Sequence, residues 1–214
     1  MMNSALILIF QLIVFLFSVM IHEVSHGLMA YRLGDQTAKK AGRLTLNPLK
    51  HLDYFGSFFV PFLLFIFKSP VLFGWAKPVP YNPFNLKNPK RDSGLIGIAG
   101  PLSNLSIALI FGLINKSFIF LNLANAPLLI FLDVIILINV ALAIFNLVPI
   151  SPLDGSKILF AILPDTPKTR EFYEQWERYG IFILLFFLFF GIQFIVPIID
   201  KIYSFLGSGA LFNF

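Results

Sequence analysis

Cysteine is absent from this chain, which removes disulfides and thiolate-held metals at once. Any metal must be bound through nitrogen and oxygen. Charge is scarce as well: Asp, Glu, Lys and Arg make up 13% of the 214 residues, against about 25% in an ordinary soluble domain. That shortage, with a mean hydropathy of +0.83, excludes an ordinary soluble domain and places the chain in a bilayer. Internal repeats, low-complexity tracts and a separate soluble domain are missing from the pattern. The N-terminus has neither a basic n-region nor a small-residue cleavage site, so its apolar run reads as retained. The net charge of +5 does not call for a nucleic-acid partner, because Lys and Arg in a membrane protein mark cytoplasmic loops.

What the chain does have is long apolar runs. Four of them, at about 4–28, 94–115, 127–148 and 180–199, approach or reach the length of a bilayer span, which takes about 20 helical residues. A fifth, 58–73, is shorter and holds Pro61, Lys68 and Pro70, so it reads as re-entrant or interfacial. The expected fold is an all-α polytopic membrane protein, with residues 1–214 forming one membrane-embedded domain. Between the spans, the alternation in Gly42-Arg43-Leu44-Thr45-Leu46-Asn47-Pro48 predicts a short β element. Proline-rich 74–93 predicts extended backbone, and charged 164–179 a short surface helix.

Segment 31–56 carries Arg32, Lys39, Lys40, Arg43 and Lys50, and segment 74–93 carries Lys77, Lys87, Lys90 and Arg91. The positive-inside rule puts both in the cytoplasm, which requires 58–73 to dip and return. The N-terminus then starts outside. His22–His26 and Pro149–Gly155 fall on the same, cytoplasmic side, although charge alone set the topology.

From Ala5 to Ile21 no residue is charged; then His22-Glu23-Val24-Ser25-His26 arrives. Residues i and i+4 share a helix face, so two imidazoles can aim at one point with Glu23 beside them. This is the HExxH pattern of zinc hydrolases. Zinc takes two imidazoles, a third protein ligand and a water. The metal brings that water to a pKa of about 7, and Glu23 would take its proton and pass it to the leaving amine. The plainer reading is a surface helix with a salt-bridging Glu. The apolar run weighs against it, since an ionisable residue inside a span costs roughly 2.5–3.5 kcal/mol on insertion scales.

A third ligand is required. Asp154 stands out in Asn146-Leu147-Val148-Pro149-Ile150-Ser151-Pro152-Leu153-Asp154-Gly155. Pro149 and Pro152 break the helix, Gly155 permits close backbone approach, and unwound backbone at membrane depth survives only against protein or a wet cavity. The alternative for Asp154 is the N-cap of a short helix over 155–163. His51 is a rival ligand, with a plain loop histidine as its other reading.

Together these residues resemble the site-2 protease family of intramembrane zinc metalloproteases. The family pairs HExxH on one transmembrane helix with an Asn-x-x-Pro-x-x-Pro-x-Asp-Gly type motif on another. Ala99-Gly100-Pro101-Leu102-Ser103-Asn104 is similar to its Gly-Pro-x-x-Asn element. Phe73-Gly74-Trp75-Ala76-Lys77-Pro78-Val79-Pro80 and the 42–48 stretch resemble its compact bacterial branch. The likeness runs to about residue 180, without PDZ or cystathionine-synthase-type domains. It implies one Zn2+ per chain held by His22, His26 and Asp154, with Glu23 as general base. Asn146 is implied as an oxyanion or substrate-backbone contact, with an interhelical hydrogen bond as its alternative. Asn104 is a substrate contact or a helix-packing residue, and Asn139 an interhelical hydrogen-bonding residue. Gly97, Gly100 and Ser103 read as close-packing positions, and Asp133 as facing the bundle or the outer interface.

The resemblance also implies transmembrane substrates, such as membrane-anchored regulators or signal-peptide remnants, an upstream site-1-type protease, and an inner-membrane location. An extended edge near Arg43–Asn47 would pair with an unwound substrate strand. Two other classes stay open: a polytopic metal transporter, which needs the ligands but not Glu23, and an inactive membrane-protein chaperone.

Overall fold

The computed structural model describes residues 4–51 and 77–209, with Phe59 and Ile66 between them. The expected membrane-dipping segment 58–73 therefore lies, apart from those two residues, outside the described residues. Helix α1 is Ser4–Arg32 and α2 is the single turn Thr37–Lys40. The long helix α3 is Pro89–Phe120 and α4 is Ala126–Asn146. Helix α5 is the short Asp154–Ile162. Helix α6, Pro167–Phe186, continues through a π turn at Phe187–Gly191 into α7, Ile192–Leu206. Four helical stretches are long and apolar enough to cross a membrane: Ala5–Arg32, Pro89–Phe120, Ala126–Asn146 and Pro167–Leu206.

Three of these start in polar sequence because a cap starts them. Asn88, Asn125 and Thr166 each accept a main-chain N–H from the first turn, with proline at the first or second helical position. The helices thus run past the apolar windows of 94–115 and 180–199. The surface helix expected over 164–179 is the start of the last span rather than a separate piece.

The expected β element at 42–48 is not present among the described residues; Arg43–Asn47 runs as bends and irregular backbone. No strand lies beside it among the described residues, and side chains satisfy nearby carbonyls instead. The Arg43 guanidinium donates to Lys50 O and Lys77 O, and His51 Nε2 donates to Thr45 O.

Helix α3 is the centre of the bundle, packing against α1, α4, α5 and α7. One apolar core joins α3, α4 and α7 through Ala108, Ile136, Val140 and Tyr203; another joins α1 to α3 through Ala30, Ile96 and Leu86. The outer face of α1 leaves Leu8, Ile9, Leu12 and Phe15 exposed, which suits a helix whose surroundings are lipid tails.

Candidate metal centre

His22 and His26 sit one turn apart on α1, both buried, and face α3 and the start of α5. Asp154 is the first residue of α5. It does not cap that helix, for the N-cap is Leu153 and no side-chain cap is made. Its Oδ2 lies 3.0 Å from His22 Nε2 and 3.0 Å from His26 Nε2. The proline-broken connection after α4 makes this reach achievable. Gly155 follows directly, and a Cβ there would fall 2.2 Å from Leu147 O, so only glycine lets α5 start this close to the end of α4.

Proton bookkeeping decides what the three groups hold. His26 Nδ1 is 2.6 Å from the carbonyl of Ile96, so Nδ1 carries the hydrogen. His22 Nδ1 is 2.6 Å from Asn104 Oδ1. That oxygen is fixed as an acceptor, because Asn104 Nδ2 donates to Asn139 Oδ1 at 2.9 Å and to the carbonyl of Ser18 at 3.3 Å. Asn139 Nδ2 in turn donates to Ser18 Oγ and Ile135 O, each at 2.9 Å. A neutral imidazole has one N–H. Both Nε2 lone pairs therefore converge with a carboxylate oxygen on one spot. Three lone-pair atoms this close repel one another unless a proton or a cation lies among them, and two Nδ1-anchored histidines with a carboxylate fit a zinc ion's donor preference.

Helix α3 supplies the space. A Cβ on Gly100 would lie 2.5 Å from both His22 Nε2 and His26 Nε2. A methyl group there would fill the cradle in front of the two nitrogens.

Glu23 also belongs to the cluster: ligand atoms of His22, Glu23 and His26 lie within 4.8 Å of one another. Asp154 approaches the imidazoles more closely, and Glu23 Oε2 is already engaged by the N–H of Val79 at 2.9 Å. Asp154 is therefore the better third donor. Its other oxygen, Oδ1, accepts from Lys157 Nζ at 2.9 Å. Burial opposes the Lys157 ammonium, and the charge and hydrogen bond of Asp154 outweigh it, raising that group's pKa.

The other expected residues are placed as follows. Asn104 is fully buried with both amide atoms committed inside the bundle, its Oδ1 to His22 Nδ1. Asn139 bridges α1, α3 and α4, as polar residues in membrane helices do. Asn146 ends α4 half-buried, with Nδ2 bonded back to Leu142 O at 2.9 Å. His51 is turned to Thr45 O, in the loop after α2. Asp35 accepts from Thr37, Asn82 and Asn85, and Asp133 is buried among Asn115, Tyr203 and Ser208.

Sequence reasoning missed Lys157, although it follows Asp154 by three residues, the spacing that lets helix neighbours touch. It also missed Val79, whose signal is a lone N–H between two prolines. Beside the site, a cavity of about 650 Å³ opens between α5, the start of α6 and residues 81–93, lined by Lys157, Ser156 and Tyr173 among others.

Residues 112–189 match the family description Peptidase family M50. YwhC of Bacillus subtilis (strain 168), named provisionally as a zinc metalloprotease, is 38% identical over 198 residues, spanning 89% of this chain and 86% of YwhC. Rip2 of Mycolicibacterium smegmatis, named in the same way, is 29% identical over 79% of this chain and 64% of its own length. The zinc metalloprotease MJ0392 of Methanocaldococcus jannaschii is 44% identical over 77 residues, 36% of this chain and 22% of that protein. No solved structure matches significantly.

Proposed function

The chain belongs to peptidase family M50, the site-2 protease family, and from that premise we propose an intramembrane zinc metalloprotease whose one zinc ion is held by His22, His26 and Asp154. The observation that carries the ligand set is the convergence of His22 Nε2 and His26 Nε2 on Asp154 Oδ2, 3.0 Å from each. Its substrates are peptide bonds in or near transmembrane segments of membrane-anchored regulators or signal-peptide remnants, some already trimmed by a site-1-type protease.

Zinc, when bound, supplies the Lewis acidity that makes a water nucleophilic near neutral pH. The chain's own groups do the rest. Asn104 and Ile96 O hold the two Nδ1–H atoms and so aim both Nε2 lone pairs. Lys157 keeps Asp154 Oδ1 occupied, leaving Oδ2 to the site. Glu23 takes the proton of the attacking water and returns it to the leaving amine nitrogen. Asn146, at the half-buried end of α4, is the substrate-side amide that can donate to the carbonyl under attack once it releases Leu142 O.

A substrate helix hides its carbonyls, so it must unwind first and lie extended against the irregular 43–47 edge, forming a β pairing there. The basic segments flanking the site support a location at the cytoplasmic side of an inner membrane.

The test combines metal content and turnover. Wild type should contain about one zinc per chain by elemental mass spectrometry, and Asp154→Ala should lose it. Glu23→Gln should keep zinc and lose cleavage of a leucine-rich single-span reporter carrying a central Gly-Pro, by at least about 100-fold. Zinc retained in Asp154→Ala would refute the ligand set. Undiminished cleavage by Glu23→Gln would refute the base.

A further inference from the structure

Two stretches singled out in the sequence, Gly42–Pro48 and Lys77-Pro78-Val79-Pro80, meet over the active-site face of α1. Arg43 Nη1 donates to Lys50 O, and Nη2 donates to Lys77 O at 2.8 Å and, more weakly, to Pro78 O at 3.4 Å. Lys77 N donates to His51 O at 2.9 Å. The guanidinium thus ties the loop after α2 to the strap at 77–80. Val79 then reaches α1 in two ways. Its side chain is buried against Gly27, where a Cβ would fall 2.7 Å from Val79 Cγ1. Its N–H donates to Glu23 Oε2 at 2.9 Å. Glu23 and Gly27 are four residues apart, hence on one helix face.

The flanking residues make this contact specific. Proline has no N–H and a fixed φ, so Val79 carries the only main-chain donor between residues 78 and 80. A glutamate has a flexible stem and a broad terminal torsion, while proton transfer requires the carboxylate within about 2.6–3.2 Å of its partner. A charge-assisted bond from a stiff strap removes that freedom.

We propose that Arg43 and the proline-bracketed Val79 amide form a positioning device for the general base: the strap pins Glu23 Oε2 and leaves the other oxygen to receive the proton. The inference rests on Glu23 being the base. It gives the two sequence stretches a shared role in aiming one carboxylate, with Val79 and Arg43 as positioning residues.

The experiment uses the full-length, zinc-loaded protein in nanodiscs. Val79→Pro deletes the N–H and keeps extended backbone. It should keep about one zinc per chain, leave KM for the Gly-Pro reporter within twofold and lower kcat by about 10–100-fold, as loss of an outer hydrogen-bond partner does at comparable sites. Val79→Ala keeps the N–H and should lose several-fold less. Arg43→Gln should lower kcat while keeping about one zinc per chain. Hydrogen–deuterium exchange gives a reading independent of turnover, because in a peptide spanning 78–80 only Val79 exchanges. Glu23→Ala should speed that exchange at least tenfold.

Unchanged or raised kcat in zinc-bearing Val79→Pro overturns the proposal, as does exchange at Val79 indifferent to Glu23→Ala. Zinc loss in Val79→Pro also overturns it, since the strap would then support the metal and not the base. Should Val79→Pro not fold, Arg43→Gln and the exchange measurement decide. A wild type that binds zinc but cleaves nothing would refute the protease reading, while exchange still reports on the strap.

Discussion

The buried carboxylates Asp133 and Asp154 differ in what faces them. Asp133, on α4, is fully buried and accepts from Asn115 Nδ2 at 2.8 Å, Ser208 N at 2.8 Å, Ser208 Oγ at 2.7 Å and Tyr203 OH at 2.9 Å. Asp154, at the start of α5, is 5% exposed, and its Oδ2 faces two imidazole nitrogens whose hydrogens are both on the far side of the ring. An ionisable group within a membrane protein is functional by default, but burial alone does not separate these two. What faces the carboxylate oxygens does. Donors on Asp133 pin the end of α7 to α3 and α4, while two imidazole lone pairs face Asp154 Oδ2, the proposed socket for a cation.

The sharpest break between the two comes from adding a methyl group. Gly100→Ala puts a Cβ 2.5 Å from both Nε2 atoms while improving intrinsic helix propensity by up to about 1 kcal/mol. The variant should keep its helical circular dichroism and fall from about one zinc per chain to less than a tenth, with reporter cleavage lost. The converse is Asp133→Ala, which strands four donors. It should destabilise the bundle by about 3 kcal/mol, read as a lower thermal midpoint, yet keep full zinc stoichiometry below that midpoint. Loss of zinc there would erase the distinction.

Asn104→Ala sits between them. It removes the acceptor that fixes the His22 hydrogen and should weaken zinc affinity about 10–100-fold in chelator competition, with a smaller loss of stability than Asp133→Ala.

The smallest effect concerns a third buried carboxylate, Asp35, between α1 and α2. Burial opposes its charge, and hydrogen bonds from Asn85, Thr37 and Asn82 outweigh that, holding its pKa below the usual carboxylate range. A depressed folded pKa contributes stability that is complete above the unfolded value of about 3.9 and is lost as pH falls through the folded value. Asp35→Asn should therefore flatten the acid limb of the unfolding curve below about pH 4 and leave the neutral-pH zinc content alone.

Much of the site was legible because it is written locally. His22, Glu23 and His26 need only helical periodicity, while two prolines and a glycine single out Asp154 but leave it open between ligand and N-cap until the family resemblance favours the ligand. The role of Asn104 was not legible, because its bond to His22 joins residues 82 apart in sequence, and a Gly-Pro-x-x-Asn string does not say which way the amide points. Hydropathy located the spans but not the helices' ends: Asn88 and Thr166 start helices in polar sequence that an apolar window excludes. Leu44 and Leu46 alternate as strand residues do, yet a strand needs a partner, and Arg43 and His51 satisfy the neighbouring carbonyls before any partner arrives.

The hydrogens on His22 and His26 are fixed by Ile96 O and by a relay that ends on main-chain carbonyls of α1 and α4. Small zinc domains fold only when their metal arrives. Here helix packing, not the ion, supplies the contacts that aim both imidazoles, so a chelator is expected to strip a bound metal and leave the helical circular dichroism unchanged.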